Sequence, residues 1–388
     1  MNFNNPDKGG STIVIRTMCA AVFVVFSILW LYCFQADVLA VAQHVLSGGR
    51  THYNPLVGTV LITGVLWLLQ LLVCSLTKLK KMFHALTFLP SMLLLAVLSD
   101  INSDIDLHFN IGVWWVVVPL VLVVWVLLVI AARGFQPYER GSGALFSRRS
   151  WVNMAIMAVM MTGVVAVANT NAVFHYRARV ETCLLKGDYS RALDVGSRSH
   201  ETDASLTMLR IYALSKTGQL GQRLFHYPLT GGSRAMLPFG QSARTLRFPA
   251  DSIFRHLGAI PKGSLREEGS TIRYLLRLEQ MGKATPAVAD YILCAYLLDR
   301  DLDSFVRTLS RYYQVGTDLP RHYREALTLY THLRAAPILS WSDSVTEEDY
   351  ADLQQLETQY PDSIERKLRV AEKYHESYWY YYEYKPDS

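Results

Sequence analysis

Five long apolar runs dominate the first 174 residues, and none of them contains Lys, Arg, Asp or Glu. The runs cover residues 17–34, 55–77, 82–98, 111–132 and 151–174. A helix needs about 20 residues to cross the hydrocarbon core of a bilayer, and each run is close to that length. The pattern predicts an all-α protein whose residues 1–174 form a bundle of five transmembrane helices.

The segments that join the runs alternate in charge, and this alternation predicts the orientation of the bundle. One set of ends carries nearly all the basic residues of this half: Lys8, Arg16, Lys78, Lys80, Lys81, Arg133, Arg140, Arg148 and Arg149. The opposite set carries Arg50 and the acidic cluster Asp100, Asp104 and Asp106. By the positive-inside rule the N-terminus is expected in the cytoplasm, and five crossings place residues 175–388 outside.

Residues 175–388 are polar enough to form a soluble domain with its own core. They hold 28 Lys and Arg against 27 Asp and Glu, so no basic footprint for nucleic acid is present. The five cysteines have no CxxC or Cys/His spacing, and neither a metal nor a cofactor is predicted. An outside compartment would permit a disulfide between Cys183 and Cys294, although both occupy positions typical of buried helix residues.

A short helix is predicted between the first two runs, lying at the outer membrane surface. Helical spacing relates the apolar residues Val38, Leu39, Ala42, Val45 and Leu46. Gly48 and Gly49 end this helix, and Asn54 followed by Pro55 begins the second span. His44 and His52 flank the glycines, but without a third ligand they are expected to be polar groups at the headgroup boundary.

The second half contains a recurring glycine-centred pattern between helical segments. It occurs at residues 184–193, again at 217–224 with its glycine 31 residues after the first, and in a weaker form at 297–305. Helix–turn–helix units with a period of about 34 residues are typical of tetratricopeptide repeats, so an α-solenoid of such helix pairs is predicted. Residues 228–269 interrupt the pattern as either a long loop or a distorted repeat. Further helices are predicted at 272–281, 287–298, 303–313, 321–333 and from 347 onwards.

The acidic loop between the third and fourth runs is the candidate catalytic site. Asp104 and Asp106 form a DxD pattern, which in glycosyltransferases binds a metal–sugar nucleotide. Outward carboxylates near a membrane also act as general bases in lipid-linked sugar transfer, so Asp100 joins them as a candidate. The same pattern recurs at Asp301 and Asp303, and the alternative is a solvated loop without a chemical role.

The C-terminus is rich in aromatic residues, which are candidates for partner binding: Tyr374, Tyr378, Trp379, Tyr381 and Tyr382. Three interpretations are open. The segment is a closing helix packed on the repeat core with its hydroxyls reaching water, an interfacial belt that returns to the membrane, or a platform for a sugar or peptide.

Three stretches carry a resemblance to a known family: QHVLSGG at 43–49 followed by THYNP, LPRHYREAL at 319–327, and YWYYY at 378–382. The chain resembles an uncharacterised family of multi-pass membrane proteins from Gram-negative bacteria with a tetratricopeptide-like C-terminal region. The resemblance implies an inner-membrane location with a periplasmic helical domain, and it implies no activity.

Together these features predict a membrane-anchored protein-interaction scaffold. The lipid bilayer and a protein bound by the helical repeats are its expected partners, because stacked helix pairs build extended concave surfaces. The alternative is an enzyme of envelope glycan or lipid-linked sugar transfer that uses the outer-loop aspartates.

Overall fold

The computed structural model describes residues 7–79, 81–108, 110, 112–134, 147–240, 243–263, 269–316 and 318–384. Within these ranges the chain is helical and contains no strand, which confirms the predicted all-α class. Two compact units make up the chain, Met1–Asn171 and Ala172–Ser388, here called the N-terminal and C-terminal units. Lys80, Arg140, Ile111 and most of the basic loop after Arg133 lie outside the described residues, as do the side chains of Lys8 and Lys81.

In its described residues, the N-terminal unit contains six α-helices: α1 Asp7–Leu29, α2 Ala36–Leu46, α3 Pro55–Thr77, α4 Leu89–Ser99, α5 Trp114–Gly134 and α6 Arg148–Val167. A π-helical turn, Trp30–Phe34, extends α1, and a 3-10 segment, Lys81–Phe88, precedes α4. Among the described residues, five stretches are long and apolar enough to cross a membrane: Ile13–Phe34, Pro55–Thr77, Met82–Ser99, Trp114–Gly134 and Arg148–Val167. This confirms the five candidate spans and indicates a membrane protein.

The fifth span ends earlier than predicted, at Val167 instead of Phe174. Beyond it the Asn169 N–H donates to the Ser99 carbonyl at 3.2 Å. The Asn169 side-chain oxygen accepts from the Asn171 N–H at 2.8 Å. These bonds replace the helical pattern, so Phe174 belongs to the first helix of the C-terminal unit.

Local sequence signals set the ends of α2 and α3 as predicted. Asn54 caps α3, where its side-chain oxygen accepts from the Leu56 and Val57 N–H groups at 3.0 and 3.2 Å. Pro55 occupies the first helical position, which needs no N–H donor. Gly48 and Gly49, with φ of 58° and 76°, follow the end of α2. Most of α2 is buried within the unit, from Val38 through Ala42.

Hydrogen bonds between helix ends place basic and acidic residues at opposite ends of the N-terminal unit. Arg133, at the end of α5, donates to the carbonyls of Thr77 and Leu76 at 2.9 and 3.1 Å. At its start, the Trp114 indole donates to the Asp100 carboxylate at 2.8 Å. Helix α5 therefore runs from the acidic loop to the basic end of α3, so these basic and acidic helix ends lie at opposite ends of the unit.

The C-terminal unit contains twelve α-helices in the part of it that is described: α7 Ala172–Leu185, α8 Tyr189–Asp194, α9 Ala204–Lys216, α10 Leu220–Arg223, α11 Ala250–Leu257, α12 Thr271–Gln280, α13 Ala287–Leu298, α14 Leu302–Tyr312, α15 Arg321–Leu333, α16 Ser344–Gln359, α17 Ser363–Tyr374 and α18 Tyr378–Tyr384. Short 3-10 turns lie at Leu224–His226 and Gly232–Met236. The predicted helices at 272–281, 287–298, 303–313 and 321–333 are confirmed, each within a residue. Most consecutive helices pack on each other, α10 also packs on α13 and α15, and α11 packs on α13.

The three copies of the glycine-centred pattern form the same turn. In each, one residue takes a left-handed conformation after a helix: Gly187, Gly218 and Arg300, with φ of 73°, 68° and 58°. The N–H of this residue bonds to the carbonyl three positions back, and the next N–H bonds to the carbonyl five back, at 2.8–3.1 Å throughout. This is the Schellman helix ending, which satisfies carbonyls that the helix leaves unpaired.

The first of these turns offers a direct test of backbone strain. Gly187→Ala is expected to destabilise the protein by about 1–2 kcal/mol, because alanine is strained in the left-handed conformation. A Cβ at this position meets no atom within 4 Å, so the loss reports the conformation alone. Thermal unfolding of the full-length protein in detergent measures it. Gly316→Ala, equally open but outside the left-handed region, is the control and should leave stability unchanged; equal losses would contradict the interpretation.

The described part of residues 228–269 is packed into the core of the C-terminal unit instead of looping away from it. The 3-10 turn Gly232–Met236 and helix α11 lie in this segment. Its buried side chains include Leu237, Ile253 and Phe254. Residues 241–242 and 264–268 lie outside the described residues. Cys183 and Cys294 are both buried free thiols, so the disulfide that the sequence permitted is not formed.

Candidate functional site

The three candidate catalytic aspartates lie in a loop of turns after α4. Asp100 and Asp104 are exposed and Asp106 is half-buried. The Asp100 carboxylate is held by the Trp114 indole, and the Asp104 N–H donates to the Asn102 side chain at 3.1 Å. Within the described ranges, no group of three or more His, Cys, Asp or Glu side chains is arranged to hold a metal ion. A catalytic role for these aspartates stays a prediction.

The two histidines of the same unit also have structural surroundings. His44 is half-buried, and its ring lies 3.3 Å from where a Cβ on Gly49 would be. His52 is exposed. Neither belongs to a metal-binding group among the residues that the structure describes.

The aromatic tail is mostly internal. Tyr374, Tyr378, Trp379 and Tyr381 are buried in the core of the C-terminal unit, and Tyr382 is half-buried. The Tyr381 hydroxyl donates to the Leu298 carbonyl at 2.8 Å. The buried faces of these four residues act in packing, and Tyr381 also lines a surface groove. Partner binding by these residues stays a prediction.

Glu325 anchors this tail to α15. Its side chain is 4% exposed, and one carboxylate oxygen accepts from the Tyr378 N–H at 2.7 Å. The same oxygen contacts His322 Nδ1 at 2.9 Å, and the other oxygen accepts from Arg321 Nε at 2.8 Å. Since the Phe225 N–H points at His322 Nε2, at 3.3 Å, Nδ1 carries the proton and donates to the carboxylate.

The main chain of Glu325 completes the anchor, because the Trp379 indole donates to its carbonyl at 2.7 Å. Burial by itself raises the pKa of Glu325, but His322, Arg321 and the Tyr378 N–H together hold that pKa below its ordinary value. A charged carboxylate therefore joins residues 319–327 to residues 378–382, two of the stretches that carried the family resemblance. Sequence reasoning did not single out Glu325, since the contact spans more than 50 positions of chain.

On its outer side the tail borders a groove. One part has a volume of about 670 Å³ and lies between residues 197–202, 225–229 and α17–α18. A second part, of about 580 Å³, shares Lys367, Ala371, Tyr380 and Tyr384 with the first. We call the two parts together the tail groove. Each part by itself is within the size range of ligand sites in proteins, about 300–1,000 Å³.

Aromatic and charged side chains line the tail groove. Tyr380 and Tyr384 stack with ring centroids 5.4 Å apart. The Tyr384 hydroxyl donates to Glu357 at 2.6 Å, which fixes the ring. Arg198 and Lys367 contribute positive charge and Glu376 contributes negative charge. The sequence offered one signal for this site, the spacing of Tyr380 and Tyr384 by one helical turn.

Apolar side chains extend the groove along α17. Ile364 and Leu368, one turn apart, are 73% and 62% exposed and border its second part. The same helix also presents the polar residues Arg366 and Lys367 to this part of the groove. Apolar contacts bordered by polar groups are typical of protein–protein interfaces.

His226, which lines the tail groove, should make the stability of the protein depend on pH. Burial lowers the pKa of His226 to about 4, with Glu376 acting in the opposite direction and His322, Arg321 and Arg223 adding to the decrease. Since the folded state disfavours the proton, stability should fall by about 1–3 kcal/mol as pH drops from 6.5 towards 4. His226→Gln should reduce this loss, as measured by thermal unfolding of the full-length protein.

His200, exposed and in the same groove, is the control for the pH measurement. His200→Gln should retain the full loss of stability in acid. If the His226 and His200 variants behave alike, His226 does not carry the effect. His256, whose pKa burial also lowers to about 4, should preserve part of the dependence in either variant.

The described residues are all-helical, and the five candidate spans indicate a membrane protein. The chain matches a family of unknown function, DUF6057, over residues 104–264 and 262–385, which is more than two thirds of its length. The chain therefore belongs to that family, and the expectation of an uncharacterised family is confirmed. No curated protein and no solved structure matches the chain.

Proposed function

We propose that this protein is a membrane-anchored scaffold whose C-terminal unit binds a segment of a partner protein in the tail groove. The groove itself is the observation that carries the proposal. It combines stacked aromatic rings, exposed apolar side chains on α17, and cations beside a carboxylate. Peptide-binding surfaces use aromatic anchors surrounded by polar groups in this way.

The architecture that presents the groove is part of the proposal. The repeated Schellman turns and the packing of consecutive helices support a tetratricopeptide-like solenoid. The extra packing of α10 on α15 makes the solenoid an irregular one. Such a surface is built for binding, and the spans would restrict it to the neighbourhood of the membrane.

The proposed location is the inner membrane of a Gram-negative bacterium, with the C-terminal unit in the periplasm. The charge separation supports this orientation, because Lys78 and Arg133 lie at one end of the N-terminal unit and the acidic loop lies at the other. Basic helix ends remain in the cytoplasm in most membrane proteins. Reaction of cysteines introduced at positions 283 and 78 with an impermeant thiol reagent would test it.

Site-specific photo-crosslinking in intact membranes tests the function. A photoreactive amino acid replaces Lys367 in the groove or, as a control, Lys283, which is exposed in the same unit and does not line the groove. We expect a discrete protein adduct from position 367 only. Tyr380→Ala should weaken that adduct. Equal labelling from both positions, or no protein adduct from the groove, would contradict the proposal.

The same experiment separates the scaffold from the enzyme alternative. Asp100→Ala, Asp104→Ala and Asp106→Ala in combination should leave the adduct and any cell-envelope phenotype unchanged for a scaffold. Deletion of the C-terminal unit should remove the phenotype. Loss of function in the aspartate variant with the adduct retained would favour catalysis by the acidic loop.

A further inference from the structure

A second cavity lies inside the N-terminal unit, at the end that carries the acidic loop. Its volume is about 550 Å³. Helix α2, the start of α3, the end of α4 and Trp114 at the start of α5 enclose it. Because these are ends of candidate membrane spans, the cavity lies at a boundary between bilayer and water.

The inner wall of this cavity is apolar and continues onto a lipid-facing surface. Leu39, Ile62 and Val97 line the interior. Leu46 also lines it but is 60% exposed, so the cavity reaches the surface of the unit at the end of α2. Next to Trp114, the side chains of Trp115 and Val116 are 73% and 70% exposed, as expected for residues that contact acyl chains.

Glycine at position 58 makes room for one wall of the cavity. Tyr53 lines the cavity and packs across α3 at Gly58, where a Cβ would lie 2.3 Å from the ring. No real side chain tolerates that distance, so only glycine at position 58 allows this placement of Tyr53. The cavity wall is therefore built into the sequence of α3.

The rim of the cavity is polar and acidic. Gln43, Ser47, Asn102 and Asn110 contribute uncharged polar groups. Among the described residues that line the cavity, Asp100 is the only charged one. The Trp114 indole uses one oxygen of its carboxylate, and a carboxylate can accept further hydrogen bonds at the other oxygen.

We propose that this cavity binds one acyl chain of a bilayer phospholipid whose headgroup carries a primary amine. The apolar interior accepts the chain through the opening at the end of α2, and the ammonium group reaches Asp100 at the rim. An anionic headgroup without an amine would meet the Asp100 carboxylate with no lining cation to offset it. Charge complementarity with Asp100 therefore selects the headgroup, and burial of the acyl chain in the cavity supplies the affinity.

Photolabelling of the full-length protein in lipid nanodiscs tests the proposal. Two probes carry the same diazirine-labelled acyl chain, one with an ethanolamine headgroup and one with a glycerol headgroup. Labelled peptides are identified by mass spectrometry. We expect the ethanolamine probe to label residues 39–46 and 97–105 about threefold to fivefold more than the glycerol probe.

Variants distinguish the cavity from the general lipid contact of the bundle. Leu46→Trp should fill the opening and abolish labelling of 97–105, whereas Val116→Trp, on the exposed face of α5, should leave it unchanged. In Asp100→Asn, the ethanolamine and glycerol probes should label the protein to the same extent, and labelling should not be abolished. If both tryptophan variants label alike, or the glycerol probe labels as well as the ethanolamine probe in the unmodified protein, the proposal is wrong. Circular dichroism and a monodisperse elution profile establish that each variant is folded.

Discussion

Glu325→Ala is expected to lower the free energy of unfolding of the C-terminal unit by about 3–5 kcal/mol, because two buried donors lose their acceptor. The substitution leaves the Tyr378 N–H and the His322 Nδ1–H without their acceptor inside the core. Hydrogen exchange of the full-length protein in detergent measures the effect segment by segment. Residues 374–384 should lose protection first, because α18 depends on this carboxylate for its position.

Acid should reproduce part of this loss in the unmodified protein. The pKa of Glu325 is lowered in the folded state, so the carboxylate stabilises the fold at neutral pH and that stabilisation disappears as pH falls through the lowered value. Glu325→Gln should already lack it and should be less sensitive to acid. Glu348→Ala, at an exposed position of α16, is the control and should leave exchange unchanged. Normal protection of the tail in Glu325→Ala would contradict the anchor.

The loss of this anchor should also remove binding in the tail groove. Tyr380 and Tyr384 lie on the same short helix as Tyr378, whose N–H Glu325 holds. The groove rings therefore depend on a contact on the opposite side of α18. Crosslinking from position 367 should fall in Glu325→Ala even where the protein remains folded at low temperature.

The features that the sequence predicted well are those decided by neighbouring residues. The length and apolarity of a span are local properties, and all five candidate spans lie where the apolar runs lie. The turns at Gly187 and Gly218 were visible because a left-handed residue after a helix favours glycine. The third copy was weaker because Arg300 occupies the same left-handed position.

The features that sequence reasoning missed depend on contacts between distant segments. The aromatic tail alternates buried and half-buried rings over seven residues, too few for helical periodicity to distinguish a core face from a binding face. Residues 197–202 and 225–229 form the far wall of the tail groove, well over 100 positions before α18. The predicted fifth span is too long because Phe174, although apolar, lies on the first helix of the C-terminal unit.

Residues 228–269 gave an ambiguous sequence signal for a physical reason. The stretch 246–248, which lies before α11 and belongs to no helix, is held by a carboxylate on α7. Glu181 is fully buried, and it accepts from three consecutive N–H groups: Leu246 at 2.7 Å, Arg247 at 2.5 Å and Phe248 at 2.8 Å. A segment rich in glycine and proline can be held in this way without forming a long helix.

Glu181→Ala should therefore release this segment, at a cost of about 3–6 kcal/mol for N–H groups left without a partner in the core. Glu181→Gln should lose less, about 1–3 kcal/mol, because its amide oxygen keeps one acceptor position while its NH₂ group faces an N–H. Hydrogen exchange of residues 243–257 in the full-length protein reports both, and Glu201→Ala, at an exposed position, is the control. Because Glu181 makes three bonds, protection should fall most in Glu181→Ala, less in Glu181→Gln and not at all in Glu201→Ala. A glutamine variant as protected as the unmodified protein would show that the carboxylate does not hold this segment.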